Sequence, residues 1–386
     1  MENNFKMIAI TFYGMEEMLA NELLDLGAQE IIQGNRSVSF KGDKGFMYKV
    51  NLCIKTAIKI LKPIFSKEVK NINELYKVFN DFPWENYISI DNTFVVESTV
   101  FGKIFTHSKY VSLKAKDGIV DRFKKKFNNR PNVSIKNPDL IINIHLNNNL
   151  CNISINSSGA NLNQRGYRKS TNIAPINEVL ASGIIKLSGW NGNSDFLDPM
   201  CGSGTFLIEA ALIAGNIPGN LYRNNFGFNR WKDWDLNLFN LIKDSQIKKI
   251  KKININIYGY DKSSSAIAKA KENIELANLK LNIKVCQKDF FDSKKESDNI
   301  LHIVTNPPYG ERLKGDINSL YSKIGDCLKL SFSKTNFWFI SSNFAAMKYV
   351  GLRPSKKIKL FNGKLESRLL FFPIYEGTKK IHKKIN

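Results

Sequence analysis

The chain has no residue pair spaced to grip a metal. Its five cysteines, Cys53, Cys151, Cys201, Cys286 and Cys327, are all more than four residues apart, which excludes the close Cys pairs of zinc sites. Its four histidines, at 107, 145, 302 and 382, form no i, i+4 pair, so no metal is expected. An odd, scattered cysteine set also gives no disulfide framework and suits a reducing compartment, here the cytoplasm. No apolar run reaches the roughly 20 residues of a membrane-spanning helix. The start, Met1-Glu2-Asn3-Asn4-Phe5, lacks the basic-then-apolar order of a secretory signal. No membrane partner is expected. Acid is scarce as well: 35 Asp+Glu against 57 Lys+Arg leave a net charge of +22 over 386 residues. Compositional bias toward Lys, Asn and Ile can raise charge by itself, but acids do not rise to balance it. A polyanionic partner, nucleic acid, is the better reading. Hydrophobic residues make up 43% of the chain, enough for a true core, and the length allows two or three domains.

What is present centres on residues 195–211. A short apolar run, Phe196 to Asp198, ends in a turn, Pro199-Met200-Cys201-Gly202-Ser203-Gly204. From Thr205 onward, Phe206, Leu207, Ala210 and Ala211 repeat at helical spacing. Strand, glycine turn and helix open a nucleotide-binding unit, because glycine admits a ligand close to the backbone and a helix start presents free N–H groups. The full dinucleotide pattern fails: its third glycine would fall at Leu207, and no lysine follows the turn as in a triphosphate loop. Further strands end at Asp261 (beside Lys262), at Asp289-Phe290 and at Asn306. Ligands of a parallel sheet bind at such carboxyl ends. An acid after the second strand suits ribose hydroxyls, with Ser263 free to cap the next helix. Asp292 replaces Asp289 if the register slips.

Thr305-Asn306-Pro307-Pro308-Tyr309-Gly310 follows the fourth strand. Together with the glycine turn, this run resembles that of the class I methyltransferases that act on exocyclic amines; such an amine on a base is a poor nucleophile. The Asn306 side-chain carbonyl and the Pro307 backbone carbonyl can accept its two N–H groups and aim its lone pair. Tyr309 can stack on the base. With an activated donor, such displacement needs positioning more than a base.

Asp198-Pro199-Met200-Cys201-Gly202-Ser203-Gly204-Thr205, paired with Asn306 to Leu313, resembles the class I S-adenosylmethionine-dependent RNA guanine-N2 methyltransferases that carry a THUMP domain, in particular their large-subunit ribosomal RNA branch. The resemblance implies S-adenosylmethionine as cofactor, held by Asp198, Pro199, Cys201, Gly202, Ser203, Gly204, Thr205, Asp261, Lys262, Asp289, Phe290 and Asn306. It gives Asn306, Pro307 and Tyr309 the catalytic roles. Asp289 would reach the adenine amino group and Phe290 its ring. Similar motifs methylate adenine N6 or a glutamine amide, so the motif fixes the type of nucleophile, and guanine N2 in ribosomal RNA rests on the resemblance.

The N-terminal third reads β-α-β-β-α-β: Met7 to Phe12, Glu16 to Leu26, Ile31-Ile32, Ser37 to Phe40, Gly45 to Cys53 and Ala57 to Leu61. That order suggests a ferredoxin-like unit. Beyond Pro63, an amphipathic helix, a strand, a long basic helix over Lys109 to Phe127 and a hairpin resemble a THUMP RNA-binding domain. Lys109 and Lys114 on that helix are candidate RNA contacts, although lysines at a helix end also form ordinary solvated faces. Arg165-Gly166-Tyr167-Arg168 reads either as a clamp on a nucleic-acid strand or as a solvated linker, and the family carries a similar run there. Glu178 reads as a cofactor contact or as a dipole-complementing helix start. Residues 215–254 are an aromatic-rich insertion, expected near the active site, with Arg223, Arg230 and Lys232 placed to meet RNA or to border a local core.

The expected architecture is α/β: a ferredoxin-like domain over residues 1–65, a THUMP α+β domain over 66–157, a linker over 158–172 and, over 173–386, a Rossmann-like class I methyltransferase with a mainly parallel sheet and a closing β-hairpin. The expected partner is RNA, ribosomal before transfer. An N6-adenine DNA methyltransferase and a non-catalytic RNA-binding assembly factor are the competing readings. The family's ribosomal branch sometimes carries a second, C-terminal methyltransferase domain, which is not expected in this sequence, whose last strand is soon followed by Asn386.

Overall fold

The computed structural model describes residues 4–168, 176–308 and 316–376, and every structural statement below concerns those residues. The chain opens with β1 (Phe5–Ile10), α1 (Glu16–Leu26), β2 (Gln29–Gly34), β3 (Ser37–Gly42), α2 (Lys44–Cys53) and β4 (Lys59–Glu68), in the expected order. Acids in the first turn of α1 face its positive dipole end, and Gly27, at φ 98°, stops it. Then come α3 (Ile72–Asp81), β5 (Thr93–Phe101), α4 (Ser108–Phe127), β6 (Asn132–Val133), β7 (Leu140–Asn147) and β8 (Leu150–Asn156).

The sequence suggests a strand ending at Leu61 and a boundary after residue 65. The strand does not end there: as β4 it runs on to Glu68 and joins the two N-terminal units in one sheet, ordered β2-β3-β1-β4-β8-β7-β5-β6. Its first residues pair with β1 and the stretch from Leu61 to Glu68 pairs with β8. Pro63 has no N–H to give a ladder, which makes it look like a stop. Here the β4–β8 register shifts between Pro63 and Phe65, so a bulge absorbs the proline and the sheet continues.

The C-terminal part contains α5 (Glu178–Leu187), β9 (Asp195–Asp198), α6 (Thr205–Ala214), α7 (Leu236–Ile247), β10 (Ile257–Asp261), α8 (Ser264–Leu276), β11 (Ile283–Gln287), β12 (Leu301–Thr305), α9 (Ile317–Ser331), β13 (Thr335–Ser341), β14 (Lys356–Asn362) and β15 (Leu365–Ile374). The sheet order is β11-β10-β9-β12-β13-β15-β14. Strands β9 to β13 are parallel, and β15 and β14 close the edge as the expected antiparallel hairpin. Asn177, whose side chain accepts from Val179 and Leu180 N–H, starts α5. Separate apolar cores cover the two faces, one under α5, α6 and α8, the other under α9. Because β10 and β12 flank β9 and are reached in opposite directions, a crevice opens at the carboxyl end of β9.

On the second face α9 meets a short 3-10 turn, Ala346–Val350, so closely that a Cβ at Gly325 would overlap the Val350 carbonyl oxygen. Gly325→Ala is therefore expected to cost about 1–3 kcal/mol, seen as a lower urea midpoint. An unchanged midpoint would mean that the turn can move aside freely.

The insertion is not beside the crevice. Phe226, Phe228 and Trp231 belong to the N-terminal core. Phe228, Trp234 and Phe239 ring Tyr48 of α2 at 4.6, 5.1 and 6.0 Å between centroids. Its three cations nearest the aromatics, Arg223, Arg230 and Lys232, are spent on the protein itself. Arg223 donates to the carbonyls of Ser158, Ala160 and Asn161, Arg230 pairs with Asp139 at 2.9 Å, and Lys232 donates to Glu85 O. The segment is a clamp that ties the C-terminal unit to the N-terminal one.

Candidate active site

A cavity of ≈ 410 Å³ occupies the crevice. Asp198, Pro199, Cys201, Gly202, Ser203 and Thr205 line it from the first turn, Asp261 and Lys262 from the end of β10, Asp289 and Phe290 from beyond β11, and Asn306 from beyond β12. Residues up to 108 positions apart thus meet at one rim. The turn needs its glycines: Gly202 and Gly204 sit at φ 54° and 83°, in the left-handed region. Gly204 itself does not line the cavity; it packs toward Ala270 and leads into α6.

The carboxylates differ in what they do. Asp261 Oδ2 accepts the Gly202 N–H at 3.0 Å and Oδ1 the Ser263 N–H at 2.9 Å, so it fixes the turn, while Ser263 caps α8. Each oxygen keeps a further lone pair for a ligand hydroxyl. Asp289 accepts from Phe291 N–H and starts a 3-10 turn. Phe290 is 2% exposed and packs into the core against Phe332, so Phe291, half-buried on the same wall, offers more ring surface to a ligand. Asp292 is exposed and outside the lining.

Asp198 is 2% exposed. Its Oδ1 accepts the Thr305 hydroxyl at 2.7 Å and the Met200 N–H at 3.1 Å. Burial pushes its carboxyl up to about 7, with Asp261 adding to the shift against these hydrogen bonds. The folded value lies above the unfolded one of 3.8, so the stabilising contribution is complete below about pH 4 and disappears as pH rises through 7. Asp198→Asn keeps the accepting oxygen and is expected to flatten this slope, leaving the ligand-free protein at least as heat-stable as the parent at pH 8. Calorimetry across pH 4–8 checks this; a variant with an unchanged slope would refute it.

Asn306 carries the site's one orphan among the described residues: its Oδ1 is buried with no hydrogen-bond partner. Pro308 lines the cavity and Pro307 is buried outside the lining. Tyr309 and the Gly310-Glu311-Arg312-Leu313 stretch lie outside the described residues. Lining residues outside the predicted cofactor and catalytic sets are Ile176, Met200, Phe206, Ser263, Ala266, Phe291, Pro308 and Leu320. Met200, Phe206 and Phe291 were adjacent to motif positions and could have been included; Leu320, on the first turn of α9, gave no signal.

The joint segment overturns its reading as an RNA clamp. Arg165 and Tyr167 are each 1% exposed. Arg165 forks onto Glu209 of α6 at 3.3 and 3.2 Å and donates to the carbonyls of Ile54, Lys55 and Leu162. Tyr167 OH donates to the same carboxylate at 2.9 Å. Arg168 pairs with Glu178 at 3.1 Å and donates to Thr205 Oγ1. Glu178 is 3% exposed and absent from the cavity wall, so it serves the joint rather than a ligand. On α4, Lys109 is exposed and Lys114 half-buried, 6.0 Å above the Tyr76 ring.

Residues 165–370 match the family described as RMKL-like, methyltransferase domain. A Synechocystis sp. protein carried provisionally as an RNA methyltransferase is 32% identical over 94% of this chain and 95% of its own length. The chain belongs to the RMKL-like methyltransferase family. Residues 69–156 match the THUMP domain and 6–61 the RlmL ferredoxin-like domain. The Syntrophotalea carbinolica protein named Ribosomal RNA large subunit methyltransferase K/L is 34% identical over 97% of this chain; the chain spans 54% of that protein's length. A solved structure of a provisionally assigned methyltransferase complexed with SAH, 28% identical, superposes with a TM-score of 0.86 and covers 98% of this RMKL-like chain and 100% of its own. Among the described residues no His/Cys/Asp/Glu group fits a metal, and no helix is long and apolar enough to cross a membrane.

Proposed function

We propose that this RMKL-like chain transfers the methyl group of S-adenosylmethionine to the exocyclic N2 of guanine in large-subunit ribosomal RNA. The observation that carries the reading is the unpartnered, buried Asn306 Oδ1 on the wall of the acid-lined cavity. A buried acceptor left without a donor is costly and calls for one from a ligand. The cavity fits the cofactor by its chemistry: Asp261 and Asp289 present acceptors for ribose hydroxyls and an adenine amine, and the glycine turn lets a ligand approach the backbone. The cofactor supplies an already activated methyl group.

The protein's part is then positioning. Asn306 Oδ1 and the Pro307 carbonyl accept the two amine N–H groups, which favours a pyramidal nitrogen with its lone pair toward the methyl. Prolines 307 and 308 contribute no N–H and stiffen the loop. The proton leaves after transfer, so no strong base is needed. Tyr309 stacks on a target base taken out of its helix or loop. Ribosomal RNA is favoured by the name of the Syntrophotalea relative and by the THUMP match. Lys109 and Lys114 on α4 remain as RNA contacts, now that Arg165, Tyr167 and Arg168 are committed inside the protein; cytoplasm, where ribosomes are made, is the proposed place.

Methyl transfer from labelled cofactor to ribosomal RNA, transfer RNA and DNA, followed by nucleoside analysis, tests the reading. N2-methylguanosine in large-subunit RNA is expected. Product in DNA alone would defeat it, and cofactor binding with no product in any substrate would point to an assembly role.

A further inference from the structure

A second cavity, of ≈ 200 Å³, lies between the N-terminal and methyltransferase units. Its wall takes residues from α1, from α2 and the turn after it, from α5, and from the ends of α6 and α7 with the segments that follow them. Lys49, Lys55, Lys186 and Lys249 line it, against the carboxylates of Glu22 and Asp25. Glu22 is already engaged: it accepts from the backbone N–H of Lys55 and Thr56 and from the Thr56 hydroxyl, and lies 3.5 Å from Lys186 Nζ. Lys49 donates to the Leu26 carbonyl. Asp25 is exposed.

Lys55 is the unusual member. It is 8% exposed, and its stem is held close to Gly219. Its backbone groups bond to Glu22 and Arg165, yet its ammonium has no hydrogen-bond acceptor among the described residues. An ammonium carries three donors, and here they are left to the cavity and its solvent rather than to protein acceptors. Burial depresses its pKa, and neighbouring Lys186 depresses it further against the pull of Glu22. The wall thus holds an excess of cations, one of them on a residue only 8% exposed and without a protein acceptor among the described residues, around a space open to a small ligand.

We propose that this cavity binds a phosphate-class anion at the joint between the two units. Lys55 is the inner ligand and Lys186 and Lys249 the outer ones. The location is separate from the catalytic cavity: Thr205 and Phe206 line that cavity at the start of α6, and Ile213 lines this one near its end. Bound anion would satisfy Lys55, relieve repulsion among the lysines and stabilise the joint by mass action. The phosphate could come from a free anion or from the backbone of bound RNA; the shared chemistry is the same.

The test is thermal unfolding of the full chain titrated with inorganic phosphate, against sodium chloride at matched ionic strength. Phosphate is expected to raise Tm saturably beyond chloride. Lys249→Gln, at an exposed position, is expected to weaken the apparent phosphate affinity about tenfold, and Lys55→Gln to abolish the shift. If Lys55→Gln fails to fold, Lys249→Gln and Lys186→Gln decide. Equal shifts with phosphate and chloride, or a phosphate shift unchanged in both outer variants, would overturn the site. RNA binding measured with and without phosphate separates the sources: competition, lost in Lys249→Gln, assigns the anion to the RNA backbone, and no competition assigns it to a free anion.

Discussion

Asn306→Ala is expected to lower methyl-transfer turnover by about 10²–10³-fold, the usual loss when one preorganised polar contact to the reacting group is deleted. Cofactor affinity should change little. The reason is specific to this side chain: its Oδ1 is buried and takes no hydrogen bond from the protein, so truncation breaks no structural bond. Stability should hold for the same cause, which separates the result from that of a misfolded variant. Single-turnover transfer and calorimetric cofactor titration on the same preparation make the measurement. Joint loss of turnover and affinity would move Asn306 from the amine side of the cavity to the cofactor cradle.

The catalytic half was legible because each of its polar residues ends an apolar run. Asp198, Asp261 and Asn306 close or follow strands that are buried, and a buried strand is readable from its side chains without knowledge of its neighbours. Strand ends of a parallel sheet share one rim, so chain position alone implied proximity. Where partners lay in another unit, reading failed. The 215–254 segment announced that its aromatics would be buried but not against what, and the answer, Tyr48 of α2, is a tertiary fact. The stretch Arg165-Gly166-Tyr167-Arg168 looked like surface because cations usually are. A counter-signal existed: Glu209 stands alone as a charge in Thr205–Ala214, whose other members are apolar apart from Thr205. A charge there requires a buried partner of opposite sign, and the only run of cations at the joint was the one read as a clamp. Pro63 misled in the opposite sense, suggesting a strand end where the strand continues through a bulge.

That same buried pair carries the largest expected effect on stability. Glu209→Ala should cost about 3–5 kcal/mol, the range for breaking a buried ion pair by removing one partner. Both side chains have 0% exposure, so the Arg165 charge would remain without solvent or a directly paired carboxylate. Tyr167 OH and Ser182 OH, which donate to the same carboxylate, would lose their acceptor too. The carbonyls of Ile54, Lys55 and Leu162 would still accept from the guanidinium, and they alone cannot neutralise it. Because those carbonyls belong to the N-terminal part and Glu209 to α6, the loss should appear as earlier unfolding of the joint and as weaker cofactor binding through the turn at the start of α6. The diagnostic comparison is the double variant Arg165→Met with Glu209→Ala: removing the stranded charge should return part of the lost urea midpoint, since a buried pair replaced by apolar groups costs less than a pair cut in half. A Glu209→Ala loss below about 1 kcal/mol, or a double variant no more stable than the single one, would mean that water or movement of the joint reaches Arg165 and that the pair is not what holds the two units together.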